Sequence, residues 1–346
     1  MSAKITPRPY RDLPRPARFA ADATTAHLNA LLLPLIAPVR EQPVHNIVQA
    51  IMHDPTMGPL FEDAIRREGG PHGLLFTVYE TLFQFGPHQI YELVPELVQS
   101  LMHTDFSADN PVPSLYCRLP GPDPIFIHVP RPPAELAVAS PVDQLPLCGY
   151  YLREVTMPEM RLIEVIAVSQ PPDGEHSPHA DNFLFSDIPI VDEQRGLHET
   201  YVDADQYSRL STGRPDAPHL REQMKPHIEF LTKVLCYLGM REVRREVHAE
   251  RSEALAGIEH LGQKKRDAAV ARARKLYDYV LISPPTNDDE PAQGDAARSV
   301  AAHHRRGHFR LAHVGQGRLE RRLVWVRPTV VGLPSPAARP TRYRVS

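Results

Sequence analysis

Proline limits this chain more than any other residue: it occupies 37 of 346 positions, roughly twice the usual ~5%. Each proline fixes φ, removes a backbone donor and biases the residue before it towards extended backbone. Elements must therefore be short, with frequent stops and extended connections. Glycine, at 18, is not raised, which excludes a collagen-like or flexible-linker chain. A hydrophobic share of 42% excludes disorder throughout and leaves enough apolar matter for one or two real cores. The longer apolar stretches, such as Leu31–Val39 (broken by prolines) and Val165–Val168, fall far short of the ~20 residues of a membrane span.

Hydrophobic period divides the chain. Residues 1–22 read as a proline-rich arm. Val44, Ile47, Val48, Ile51 and Met52 then form one apolar stripe at helical spacing. Leu60, Phe61 and Ile65 begin a second helix, stopped by Gly69-Gly70, and Leu74, Leu75, Val78, Tyr79, Leu82 and Phe83 make a third. Ile90, Tyr91, Val94, Leu97, Val98, Leu101 and Met102 make a fourth, interrupted by Pro95. Residues 23–110 thus read as a helical domain. From there the period changes: PSLYCRL (113–119), IFIHV (125–129), LCGYYLREV (147–155) and MRLIEVIAVS (160–169) read as strands of a β-rich region over 111–216, with a polar loop at 171–182. Residues 217–239 read as a helix that Pro226 either kinks or opens, and YVLIS (279–283) as a strand before a loop at 284–296. HFRLAHV (308–314) and RRLVWVRP (321–328) read as a hairpin turning at Gly315–Gly317. The expected fold class is α+β: an N-terminal α-helical domain, then an α+β domain, 217–346 included, with a mostly antiparallel sheet.

The net charge of −3 conceals a division of sign. Residues 241–346 carry 21 Lys and Arg against 12 Asp and Glu, whereas residues 1–240 carry 18 against 30. The stretch 296–346 holds 11 arginines and one acid, Glu320. Such a basic end suits an acidic peptide, RNA or a ribosome surface. Arg305, Arg306, Arg310, Arg318, Arg321 and Arg322 repel one another unless something neutralises or screens them. Strand alternation puts His308 and Arg310 on one face and Phe309, Leu311 and His313 on the other. Trp325 fits either a ligand-facing surface or the core, and KKRDAAVARARK (264–275) fits either a nucleic-acid contact or a solvated helix.

Signs of catalysis are missing. The sequence contains no nucleophile elbow, P-loop or dinucleotide fingerprint. His303, His304, His308 and His313 alternate like a strand without a nearby carboxylate pair, and His176, His179 and Asp181 read as a polar loop, so no metal or other cofactor is expected. Without clustered carboxylates a metal-dependent nuclease ranks last. Cys117, Cys148 and Cys236 form no C-x-x-C pair, and the basic, proline-broken N-terminus has no apolar h-region. Both point to the cytoplasm.

The C-terminal third carries a recognisable order: a charged stretch (241–275), YDYVLIS, a polar loop, HHRRGHFR, a glycine turn and RRLVWVRPTVVG. Over roughly 217–333 this resembles the type V-A anti-CRISPR family that suppresses biogenesis of the CRISPR effector nuclease. Arg305, Arg306, Gly307, His308, Arg310, Trp325, Pro328 and Gly332 match its motif, while the charged stretch departs from it. The resemblance implies a non-enzymatic factor of a phage or plasmid, acting in the cytoplasm of a bacterial host. Its partner would be the nascent chain of a CRISPR effector, whose mRNA is then lost. Arg305, Arg306, His308, Arg310, Arg318, Arg322, Trp325 and Arg327 are the expected partner-binding residues. An RNA- or DNA-binding protein of a mobile element, using the same basic region, is the alternative.

Overall fold

A computed structural model of the chain describes residues 13–21, 23–59, 62, 72–106, 112–139, 144–170, 182–202, 218–285 and 303–331. Residues 1–12, all but Glu62 of the helix expected around Leu60–Ile65, its Gly69-Gly70 stop, nearly all of the loops at 171–182, 202–216 and 284–296, and Gly332 lie outside them.

The helices are α1 (Arg15–Ala21), α2 (Ala23–Ile36), α3 (Val44–His53), α4 (His72–Phe85), α5 (Pro95–Met102), α6 (Leu197–Val202), α7 (Pro218–Leu238), α8 (Glu250–Leu255) and α9 (Gln263–Ala273). The strands are β1 (Gln89–Leu93), β2 (Thr104–Phe106), β3 (Ile125–His128), β4 (Val138–Ala139), β5 (Gln144–Leu145), β6 (Leu147–Met157) and β7 (Met160–Ser169). They continue with β8 (Phe183–Ile190), β9 (Arg244–Ala249), β10 (Asp278–Ser283), β11 (His303–Arg305), β12 (Gly307–Val314), β13 (Glu320–Val326) and β14 (Thr329–Val331). The fold is α+β.

A seven-stranded sheet of order β8-β7-β6-β3-β1-β10-β9 forms the frame. Its joins are antiparallel except at the centre, where β1 runs parallel to both β3 and β10. Both faces are covered, so the central strands are apolar on both sides instead of alternating with polar residues. One face, with Ile90, Phe126, Tyr151, Ile166 and Val168, packs against the N-terminal helices through Val44, Ile47, Ile51, Val78, Tyr79 and Phe83. The other, with Tyr91, Ile127, Tyr150, Leu152, Ile163 and Val165, packs against α5 and α7 through Leu97, Leu101, Ile228, Leu231 and Leu235.

The helical stripes of α3 and α4 and the strands β3, β6 and β7 lie where the periodicity puts them. Four segments differ. Residues 89–93, expected as the start of a helix, form the central strand β1. Pro95 then opens α5, because proline at a first helical position needs no N–H. The expected strand at 113–119 is a 3₁₀ turn over Ser114–Tyr116, held by Arg161 donating to the carbonyls of Ser114 (2.8 Å) and Cys117 (3.1 Å). The charged stretch from 241 contains β9, which pairs with β10 over six residues. As an edge strand with no fully buried residue it has no apolar alternation to reveal it. Finally, part of the expected arm is core: Leu13, Arg15, Ala17 and Arg18 are buried, and Arg15 Nε donates to Glu80 Oε1 at 2.7 Å.

Candidate functional site

The basic hairpin forms as its alternation requires. β12 and β13 pair antiparallel from His308↔Val326 to Val314↔Glu320, and β2 adds in parallel beside β12. The turn carries positive φ at Gly315 (79°), Gly317 (71°) and Arg318 (56°). Two glycines make that path cheap. At the other end Gly307 has no room for a side chain: a Cβ there would lie 2.7 Å from Thr104 Oγ1 and from Pro328 Cδ.

One face of the hairpin is core. Phe309 stacks on Phe106 at 5.6 Å, and Trp325 meets Tyr237 of α7 edge-on at 5.1 Å. Trp325 is 7% exposed, and its indole N–H donates to Thr104 Oγ1 at 3.0 Å. Of its two readings the core one is therefore correct: the ring seats the hairpin and is not part of its outer surface. Arg327 sits beside it, half-buried, its guanidinium 6.0 Å from the Trp325 ring and donating to the Pro285 carbonyl at 3.1 Å.

The opposite face and the tip carry the charge, but not as one tight cluster. Arg310 faces Val324 and Arg322 faces Ala312, so these two arginines are diagonal neighbours, about 7–8 Å apart at the backbone. Arg322 pairs with Glu242, and Arg306, 77% exposed, pairs with Asp105 at 2.9 Å. Acids from outside the hairpin thus neutralise two of the arginines. Among the described residues, Arg305, Arg310, Arg318 and Arg321 meet no carboxylate. His308 shares the Arg310 face; partial burial, then the charges of Arg305 and Arg310, hold its imidazole below the ordinary value. Leu319 projects at the tip, 88% exposed.

His308 and His313 do not converge. His303 and His304 lie in β11, while His308 and His313 point to opposite faces of β12. Among the described residues no group of three His, Cys, Asp or Glu side chains is placed to hold a metal ion; the residues at 176–181 lie outside them. Cys117 and Cys236 are fully buried with their sulfurs 3.4 Å apart. Burial, then the neighbouring thiol, pushes Cys236 well above its ordinary value, so it is a poor nucleophile at neutral pH. The stretch 264–275 forms α9, with Ala273 buried against the body and Lys264, Lys265 and Arg272 exposed. No helix of the described residues is long and apolar enough to cross a membrane.

The residue patterns missed the buried polar layer under the N-terminal helices. Arg153 Nη1 donates to Glu164 Oε2 at 2.9 Å, and Glu164 Oε1 accepts the Val44 backbone N–H. His128 Nδ1 lies 3.1 Å from Glu92 Oε2, which also accepts from the Tyr277 hydroxyl. Their only local signal is polar residues standing alone in apolar strands.

A search of curated proteins found no match. Among solved structures, the crystal structure of AcrVA2 is similar with a TM-score of 0.46 and 13% identity, over 91% of this chain and 96% of that one. A family model described as AcrVA2-like, anti-CRISPR type V subtype A2 family, matches residues 91–333. That span runs from the central strand β1 through the hairpin and covers well over half of the sequence, so the chain belongs to the anti-CRISPR type V subtype A2 family.

Proposed function

We propose that this anti-CRISPR lowers synthesis of a type V-A CRISPR effector by recognising the effector's nascent polypeptide, and that the outer face and tip of the β12–β13 hairpin make the contact. One observation carries the reading: Arg310, Arg318 and Arg321 of the hairpin, and Arg305 at the end of the adjoining β11, stay without a carboxylate among the described residues, on a support seated firmly by Phe309 and Trp325. Unpaired guanidiniums on a rigid support suit an extended segment that bears acids. The protein then acts by binding, in the cytoplasm of a bacterium infected by a phage or carrying a plasmid.

The test is Arg305→Ala with Arg310→Ala, which spares the Arg306–Asp105 and Arg322–Glu242 pairs. Exposed substitutions of this kind change stability by no more than about 0.5 kcal/mol. Two lost charge-assisted hydrogen bonds, at roughly 1.5–3 kcal/mol each, lower affinity by about a hundredfold to ten-thousandfold. The double variant should melt like the parent yet leave effector protein and mRNA at their uninhibited levels in cells. Undiminished suppression by a folded double variant sinks the assignment of the hairpin.

RNA binding is a second reading, favoured by the exposed Lys264, Lys265 and Arg272 of α9. RNA affinity would fall steeply with salt, whereas a peptide contact would depend on peptide sequence and less on salt.

A further inference from the structure

A cavity of about 500 Å³ lies where α1, the end of α4, β1, β10 and α8 meet, away from the hairpin. Its size falls within the roughly 300–1,000 Å³ of small-molecule sites, and its walls are shared evenly between apolar and polar side chains, which suits a polar ligand. Two of those polar groups are cationic or can become so. Arg251 reaches in from α8 and His88 from the turn between α4 and β1. Among the described residues neither the Arg251 guanidinium nor the His88 ring has a hydrogen-bond or ion-pair partner. The acid on the same wall is already engaged. Asp278 Oδ1 accepts the backbone N–H groups of Arg251 (2.9 Å) and Ser252 (3.1 Å), and Oδ2 accepts the Ser252 hydroxyl.

His88 is held in place at a cost. Its φ is +53°, a left-handed conformation uncommon for a side-chain-bearing residue. Its ring meets Phe83 edge-on at 5.9 Å. The Arg251 charge acts on it directly: after partial burial, that charge is the second cause holding the imidazole below its ordinary value. Strain of this kind clusters at ligand sites.

The remaining lining has the features of a flat heterocycle's partner. Phe85, a large ring 51% exposed overall, is one of the lining residues. Gln84 Nε2 donates to the Pro16 carbonyl at 3.1 Å, which leaves its own carbonyl oxygen as an acceptor. Asn29 Oδ1 accepts from the Thr81 hydroxyl at 2.9 Å, which leaves its NH₂ group as a donor. One acceptor and one donor beside an exposed aromatic ring match the edge and the face of a nucleobase.

We propose that this cavity binds a nucleoside monophosphate, with the phosphate on Arg251 and His88 and the base on Phe85 between the Asn29 and Gln84 amides. Such a site is independent of the hairpin and of polypeptide recognition.

Calorimetric titration of the full chain at low salt tests it, with the four ribonucleoside 5′-monophosphates, the matching nucleosides and inorganic phosphate. At least one monophosphate should bind tenfold or more tightly than its nucleoside and than phosphate. Arg251→Ala and His88→Gly should each weaken it at least tenfold, and Phe85→Ala should weaken the nucleotide but not phosphate. Glycine accepts the positive φ that strains His88. The melting temperature of His88→Gly should therefore hold or rise, which separates a lost ligand contact from a lost fold. No monophosphate binding at millimolar concentration, or unchanged binding by folded Arg251→Ala, overturns the site. Phosphate binding as tightly as every monophosphate overturns the nucleoside assignment.

Discussion

His227 lies wholly buried between α7 and the sheet, its Nδ1 2.9 Å from the Tyr150 hydroxyl. Burial lowers its pKa from 6.5 to about 4. The folded state therefore binds the proton more weakly than the unfolded chain does. The stability this contributes is complete above about pH 6.5 and is lost as pH falls towards 4, where the unfolded state takes the proton first. Over that window the difference reaches about 3 kcal/mol. Between pH 7 and about pH 4.5 the parent should lose about 2.5 kcal/mol more than His227→Gln in urea unfolding; parallel pH curves for the two would exclude His227 as the cause. The helical spacing of Leu220, Met224, His227, Ile228, Leu231, Leu235 and Leu238 puts His227 on an apolar face, so its burial is legible in the sequence. Its partner is not, because Tyr150 lies 77 residues away and nothing local links them. A still longer separation hides the neutralisation of Arg306 by Asp105, 201 residues apart. Composition near 305–322 showed a surplus of positive charge but not which guanidiniums keep it.

Among the elements, the hairpin was the most readable, because strict alternation and a glycine turn both act within a few residues. β6 and β7 were readable too, since eleven- and ten-residue runs of apolar and β-branched side chains admit few alternatives. β1 was not: five residues of apolar strand run directly into an amphipathic helix, and their combined pattern imitates one longer helix broken at Pro95. β9 escaped for the opposite reason, since an uncovered edge needs no apolar face, and Val247 is 76% exposed within it. The glycine of the Arg-Gly-His motif now has a physical reason. Gly307 joins β2 to β12, opposite Thr104, in space that a methyl group cannot enter without moving Thr104, Pro328 or the Val326 carbonyl. Gly307→Ala should destabilise the chain by roughly 1–3 kcal/mol. Because Trp325 donates to the same Thr104 hydroxyl, the indole near-UV circular dichroism should change as well. An alanine variant with unaltered stability and spectrum would mean that this corner yields without cost.

Across the whole molecule, the two hydrophobic cores lie on opposite faces of one sheet, and the central strand β1 comes from the sequence just before α5. The N-terminal helices carry more than apolar contact. Arg15 meets the buried Glu80, Glu164 takes the Val44 backbone N–H, and Arg153 donates to the carbonyls of Arg40 and Gln42. Removing those helices would bare Phe126, Tyr151, Ile166 and Val168 and leave the Arg153–Glu164 pair without its outer partners. Four such side chains, at roughly 1.5–3 kcal/mol each, represent on the order of 10 kcal/mol. That is comparable with the whole stability of a typical domain, about 5–15 kcal/mol. The full chain should therefore unfold in one urea transition followed identically by near-UV and far-UV circular dichroism. A fragment lacking residues 1–88 should keep secondary structure but lose near-UV signal and cooperativity, even though it retains all of the family-matched span 91–333. A cooperative, native-like transition in that fragment would show that the sheet holds itself together through the α7 face alone.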